Sequence, residues 1–257
     1  NSLGQICFRG QDDSMPANGT GSLVGLSSGT GGVWLWDGAL NNLRAQIGDP
    51  TPDATTYTYS STGGGFSANA LANNGAIYYK NESNSNFVQS PAAKINRQGT
   101  LAPGISGGTA TFSATSAGSV GLATNGTYLL QASMANGVGG ITNTGVNRND
   151  SGVWVGSGGS LSLRYQRNQD ISSLPNGQTP SGTPTTWAGV RMGDFSTIGS
   201  TGAFNANGTY VSRCSTLQGT VNTSSTSGAT GYLNNASAIF ADVGGTLQAV
   251  ARAGDMA

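Results

Sequence analysis

The sequence predicts an all-β fold of tandem four-stranded repeats, β-propeller-like, with four blade units and one inner strand missing. Three observations predict it. An Asn/Gly turn followed by an alternating or β-branched run recurs in "NSLGQICFRG" at 1, "ANNGAIYYKN" at 72, "ATNGTYLLQA" at 123 and "NANGTYVSRC" at 205. A run apolar on both faces follows each, in "GGVWLWDG" at 31, "SNFVQS" at 85, "SGVWVGSGG" at 151 and "ASAIFADVGG" at 236. No stretch combines a helical apolar period with helix caps.

Each element has a local reason. Asn and Gly tolerate the left-handed backbone of tight turns, so the first phrase reads as a turn that launches a strand. In "GVWLWDG", Trp34 and Trp36 point to one face and Val33 and Leu35 to the other, as in a strand held between two sheets. The third phrase, "LRAQIGDPTP", "KINRQGTLAP", "RYQRNQDISSLP" and "LQAVARAGDMA", reads as an outer strand and the turn that leaves it. Val250 and Arg252 are two apart, so the arginine stem is expected to lie across apolar neighbours. A fourth phrase, in "GGFSANAL", "ATFSATSAG" and "TTWAGV", places Phe66, Phe112 and Trp187 on first-position strands. The chain reads as a single repeat domain, 1–257, divided into units 1–71, 72–122, 123–204 and 205–257. The first-position strand has three copies where the other phrases have four. The missing strand is expected either from further sequence or from another molecule, because an open sheet edge is a template for pairing.

Composition narrows the function. Charged residues make up 9% of the chain, with 11 basic and 11 acidic side chains and no His. Average soluble domains carry roughly 25%. A chain with zero net charge lacks the basic field that holds nucleic acid or anionic membrane, and its surface has little repulsion against self-association. No apolar run approaches the roughly 20 residues of a membrane-spanning helix. The chain begins at Asn1 without Met, consistent with a removed leader or with a piece of a longer protein. Cys7 and Cys214 offer either an extracellular disulfide or two buried thiols. Candidate N-glycosylation triplets occur at Asn18, Asn81, Asn125, Asn149, Asn207, Asn222 and Asn235.

"NSLGQICFRG", "GGVWLWDG", "KINRQGTLAPG" and "LQAVARAGDMA" resemble the repeats of bacterial secreted "choice-of-anchor tandem repeat" proteins. The resemblance covers all four units but is degenerate: "RQGTLAPG" lacks the Asp and "RNQDISSLP" the Gly. It implies a propeller-like fold and a secreted or cell-surface setting, without a defined activity.

Catalytic constellations are sparse. Without His there is no Ser-His-Asp or Cys-His triad and no His-ligated zinc. "GLSSG" at 25 and "GISGG" at 104 match a nucleophile elbow in spacing but lie in loops, away from a strand-to-helix turn. A glycosidase would need paired carboxylates; Glu82 is the single Glu, and Asp12 and Asp13 share a loop. Asp49, Asp194 and Asp255 follow Gly in the turn phrase, where an Asp that bonds nearby amides explains the recurrence. The strongest cation site is "NRNDSG", in which Asn147, Asn149 and Asp150 present oxygen ligands suited to Ca²⁺. Trp34, Trp36, Trp154 and Trp187 read as core, whereas Tyr57 and Tyr59 lie outside the repeated strands and are candidates for a surface contact. The expected function is a non-enzymatic extracellular structural subunit that assembles with copies of itself into a fibre, sheath or surface layer. The alternative is a secreted module that binds glycans or other surface proteins.

Overall fold

The computed structural model of the chain describes residues 1–11, 31–52, 57–59, 66–81, 85–89, 92–113, 119–145, 147–174, 177–178, 184–185, 190–193, 204–205, 207, 209–214, 217–219 and 238–252. Among them are strands and turns and no helix. The strands are β1 (Ile6–Gln11), β2 (Gly31–Trp36), β3 (Asn41–Gln46), β4 (Phe66–Leu71), β5 (Ile77–Asn81), β6 (Ser85–Gln89), β7 (Ala93–Arg97), β8 (Ser119–Leu122), β9 (Tyr128–Ser133), β10 (Ser151–Ser157), β11 (Ser160–Gln166), β12 (Gly177–Gln178), β13 (Pro184–Thr185), β14 (Val190–Met192), β15 (Tyr210–Cys214), β16 (Leu217–Gly219), β17 (Ala238–Val243) and β18 (Thr246–Arg252).

Antiparallel pairing of neighbours in sequence gives four principal sheets. The first is β1-β2-β3, the second β4-β5-β6-β7, the third β8-β9-β10-β11 and the fourth β15-β17-β18; β12-β13 and β14-β16 are short separate pairs. Sheets and predicted units are out of phase by one strand. The cuts after 71 and 122 separate β4 from β5 and β8 from β9, yet Leu71 pairs with Ile77 and Leu122 with Tyr128. The turn between them is too tight for the chain to leave the sheet. Counted this way, the first sheet has three strands among the described residues, where the second and third have four.

All four sheets share one register. Each has a bulge on its last strand, at Arg44, Ile95, Arg164 and Val250, opposite the second phrase. That phrase is now legible as a small residue, one intervening residue, then an aromatic: Gly32 and Trp34, Ser85 and Phe87, Gly152 and Trp154, Ala238 and Phe240. In the two glycine cases the tryptophan ring folds back over the glycine on its own face. A Cβ on Gly152 would stand 2.8 Å from the Trp154 ring and 3.1 Å from the Tyr165 carbonyl oxygen, and one on Gly32 2.8 Å from the Trp34 ring.

The last strand of each of the first three sheets ends in a turn at positive φ, occupied by Gly48, Gly99 and Asn168. Asn168 explains how the third phrase loses its Gly, because Asn is among the few other residues that tolerate this conformation. The turn then clips onto the start of the next unit. Gly48, Gly99 and Asn168 donate their N–H to the carbonyls of Tyr59, Phe112 and Met192, at 2.8, 3.0 and 2.7 Å. Tyr59, Phe112 and Met192 donate back to Asp49, Thr100 and Gln169, each at 2.9 Å.

The aromatic-over-glycine arrangement makes a direct prediction. Gly152→Val should lower the unfolding free energy by about 2–3 kcal/mol, since both the Trp154 ring and a backbone carbonyl occupy the space of the new side chain. Urea denaturation followed by tryptophan fluorescence measures this, and an unchanged midpoint would place the ring elsewhere.

Candidate functional site

Three apolar cores lie between consecutive sheets. Val33, Leu35 and Ala45 of the first sheet meet Ile77, Tyr79 and Phe87 of the second, with Tyr59 and Phe66. Tyr78 and Ile95 of the second meet Tyr128, Leu130 and Trp154 of the third, with Phe112. Leu129, Val153 and Tyr165 of the third meet Tyr210 and Phe240 of the fourth, with Met192. Each interior sheet therefore has a leading face, toward the sheet before it, and a trailing face, toward the sheet after it. Side chains alternate along a strand, so one register assigns every residue to a face.

The same register leaves two faces without a neighbouring sheet. The trailing face of the fourth sheet carries Val211, Ile239, Val243 and Val250, which are 45%, 40%, 46% and 61% exposed. The leading face of the first sheet carries Ile6, 55% exposed, with Phe8 stacked on Trp34 at 5.9 Å between centroids. Among the described residues no apolar core joins the first sheet to the fourth. The two equivalent tryptophans differ in one bond. Trp154 Nε1 donates to the Pro103 carbonyl at 2.8 Å, whereas Trp34 Nε1 is buried without an acceptor among the described residues.

A polar seam borders the third and fourth sheets. Asp150 accepts from Arg148 Nη2 at 3.2 Å and Arg167 Nη1 at 3.4 Å, and Arg167 is 1% exposed. Asp242, also buried, accepts the Gly245 N–H at 2.6 Å and lies 3.8 Å from Arg164 Nε. Burial, and secondarily the Asp242 carboxylate, push the Tyr165 hydroxyl far above the usual tyrosine range. Asn149, Leu163, Arg164, Gln166 and Arg167 contribute to the lining of an open depression of about 370 Å³.

This geometry corrects several expectations. Asn147, Asn149 and Asp150 do not converge on a cation: Asp150 is held by two guanidinium groups, and Asn149 Oδ1 accepts the Thr142 N–H while Nδ2 donates to Gly140. Among the described residues no three His, Cys, Asp or Glu side chains gather as a metal site. Tyr59 is core rather than surface, packed against Phe66, Tyr79 and Phe87; Tyr57 is half-exposed with the Arg97 guanidinium 3.9 Å from its ring centroid. Arg97 itself is buried and donates to Thr51 Oγ1, whereas Arg167 falls one position later in the register than Arg97. Asn81 is fully buried, which leaves no room for a glycan in the folded chain. Asn125 and Asn207 are exposed in turns, and Asn149 is half-buried and tied down as above. Ser106 of "GISGG" sits in an exposed turn. Asn18, Asn222, Asn235, Glu82, Asp12, Asp13, Asp194, Asp255, Trp187 and "GLSSG" lie outside the described residues.

Cys7 is a free thiol, half-buried against the first apolar core, where it acts as a small hydrophobe. Cys214 lies on β15, with its side chain outside the described atoms. Burial pushes the Cys7 thiol up to about 11.

One recurrent role was missed from sequence alone. The Asn/Gly turns stitch neighbouring sheets as well as launching strands. Asn1 Nδ2 donates to the Ala72 carbonyl at 2.9 Å, the Asn73 N–H to the Thr124 carbonyl at 2.7 Å, and Asn74 Nδ2 to the Asn125 carbonyl at 2.6 Å. The recurrence of Asn beside the Gly was the available signal. No helix among the described residues is long and apolar enough to cross a membrane. No family model, curated protein or solved structure matches the chain.

Two measurements probe the site. Asp150→Ala should destabilise by about 3 kcal/mol by leaving Arg167 buried without its carboxylate, and adding Arg167→Met should recover much of that loss. Additive losses in denaturant melts would dissolve the pair. For Cys7, alkylation at pH 8 should run about 100-fold slower than at an unperturbed thiol, because the thiolate is that much scarcer. Since the folded pKa is raised, the stabilising effect holds below the ordinary thiol pKa near 9 and fades as pH climbs toward 11. Rapid labelling at pH 8 contradicts the burial.

Proposed function

We propose that this chain is a non-catalytic structural subunit that works outside the cell by assembling with copies of itself. The exposed apolar face of β15, β17 and β18 carries the reading. Contiguous exposed apolar side chains mark contact surfaces, and this face offers Val211, Ile239, Val243 and Val250. Zero net charge removes the repulsion that would otherwise keep copies apart. In this reading the four sheets are blades of a propeller-like array. The resemblance to secreted choice-of-anchor repeats supports a cell-surface setting.

A second reading, a secreted module that binds glycan or protein, has the depression lined by Arg164, Gln166, Arg167 and Asn149 in its favour. Its guanidinium groups already face Asp150 and Asp242, which leaves them less available to an anionic ligand.

Light scattering coupled to size exclusion, with electron microscopy of native material, separates the two. The structural reading expects mass that grows with concentration into regular filaments or sheets. It expects Ile239→Asp to reduce that material to monomers without loss of secondary structure. A wild-type chain that stays monomeric at every concentration and binds sugar saturably overturns it in favour of the binding module.

A further inference from the structure

Three seams inside the chain show how a trailing face meets a leading face, and the two end faces are the unmatched halves of a fourth. We infer that the trailing face of the fourth sheet binds the leading face of the first sheet of a second copy, joining copies head to tail. The inference rests on the reading of the chain as an assembling subunit and names how the copies join.

The match runs position by position. In the shared register Val211 takes the place of Leu129, and Ile239 the place of Val153 and Val33. Leu129, Val153 and Val33 are each fully covered by the following sheet's core, while Val211 and Ile239 are 45% and 40% exposed. On the opposite face Ile6 takes the place of Ile77, Tyr128 and Tyr210. Those three are at most 1% exposed, against 55% for Ile6. Ile6, Val211 and Ile239 thus stand exposed at positions that are covered at interior seams, while Trp34, at the place of Trp154, is fully buried within the chain itself.

The chain's own first sheet is already engaged with the second through its trailing face. A contact between unlike faces leaves each joined pair with one free leading and one free trailing face, so growth continues.

Two full-length variants test this, Ile239→Asp on the trailing face and Ile6→Asp on the leading face, both at exposed positions and both checked for native circular dichroism. Sedimentation velocity should show concentration-dependent growth for the wild type, monomer for either variant alone, and an equimolar mixture that stops at dimer. Dimers of Ile6→Asp alone, with no dimer gained on mixing, would mean trailing faces pair with each other. That result overturns the head-to-tail join but leaves the assembling-subunit reading standing. A monomeric wild type overturns both.

Discussion

A β-strand that is apolar on both faces has no side to give to water, and this constraint organises the whole molecule. β2, β6, β10 and β17 each carry apolar residues on both sides of the pleat, so each sheet is an interior layer that requires another layer before and after it. Within the chain the requirement is met three times. On the trailing face of the fourth sheet it is unmet among the described residues, and the exposed valines and Ile239 follow from the same pattern that builds the core. Burying one large aromatic ring removes roughly 200 Å² of apolar surface, about 5 kcal/mol at 25 cal/mol per Å² before ordering costs. With aromatic rings fully buried at each seam, the stacking of layers dominates every polar term in the fold.

Hydrogen bonds then set the register in which the layers stack. The positive-φ turns at Gly48, Gly99 and Asn168 fasten each last strand to the first residues of the next unit, and the Asn turns at the other end of the sheets tie neighbours together. Buried Arg167 and half-buried Arg148 pair with Asp150, and half-buried Arg164 pairs with buried Asp242. Such pairs fix geometry more than they add stability, since desolvation offsets much of their attraction. The titratable groups in the cores, Cys7, Tyr78 and Tyr165, are all pushed by burial toward their neutral protonated states.

Much of this was legible in the sequence. The Asn/Gly turns, the two-faced strands around Trp34, Trp154 and Phe240, and the outer strands β3, β7, β11 and β18 fall where the repeated phrases place them. Phasing was not legible, because a cyclic pattern of strands looks the same wherever it is cut. Only the pairing of Leu71 with Ile77 shows that β4 belongs to the sheet after it. Tyr59 was misassigned because its neighbours lack the repeat phrase, although it makes the same pair of backbone hydrogen bonds to the positive-φ turn as Phe112 and Met192. The "NRNDSG" site failed for a different reason. Sequence exposes the oxygens of Asn149 and Asp150 but not the arginines and amides that reach them from Arg167 and Thr142.

The account stands or falls on what covers Ile239 in the native protein. A side-chain-resolution image of the assembled material, obtained by cryo-electron microscopy, decides it. The account predicts β15, β17 and β18 packed under β1 and β2 of a neighbouring copy, with Ile239 and Ile6 buried in one seam. An Ile239 face left in solvent, or covered by the first sheet of its own chain in a closed ring, would contradict it.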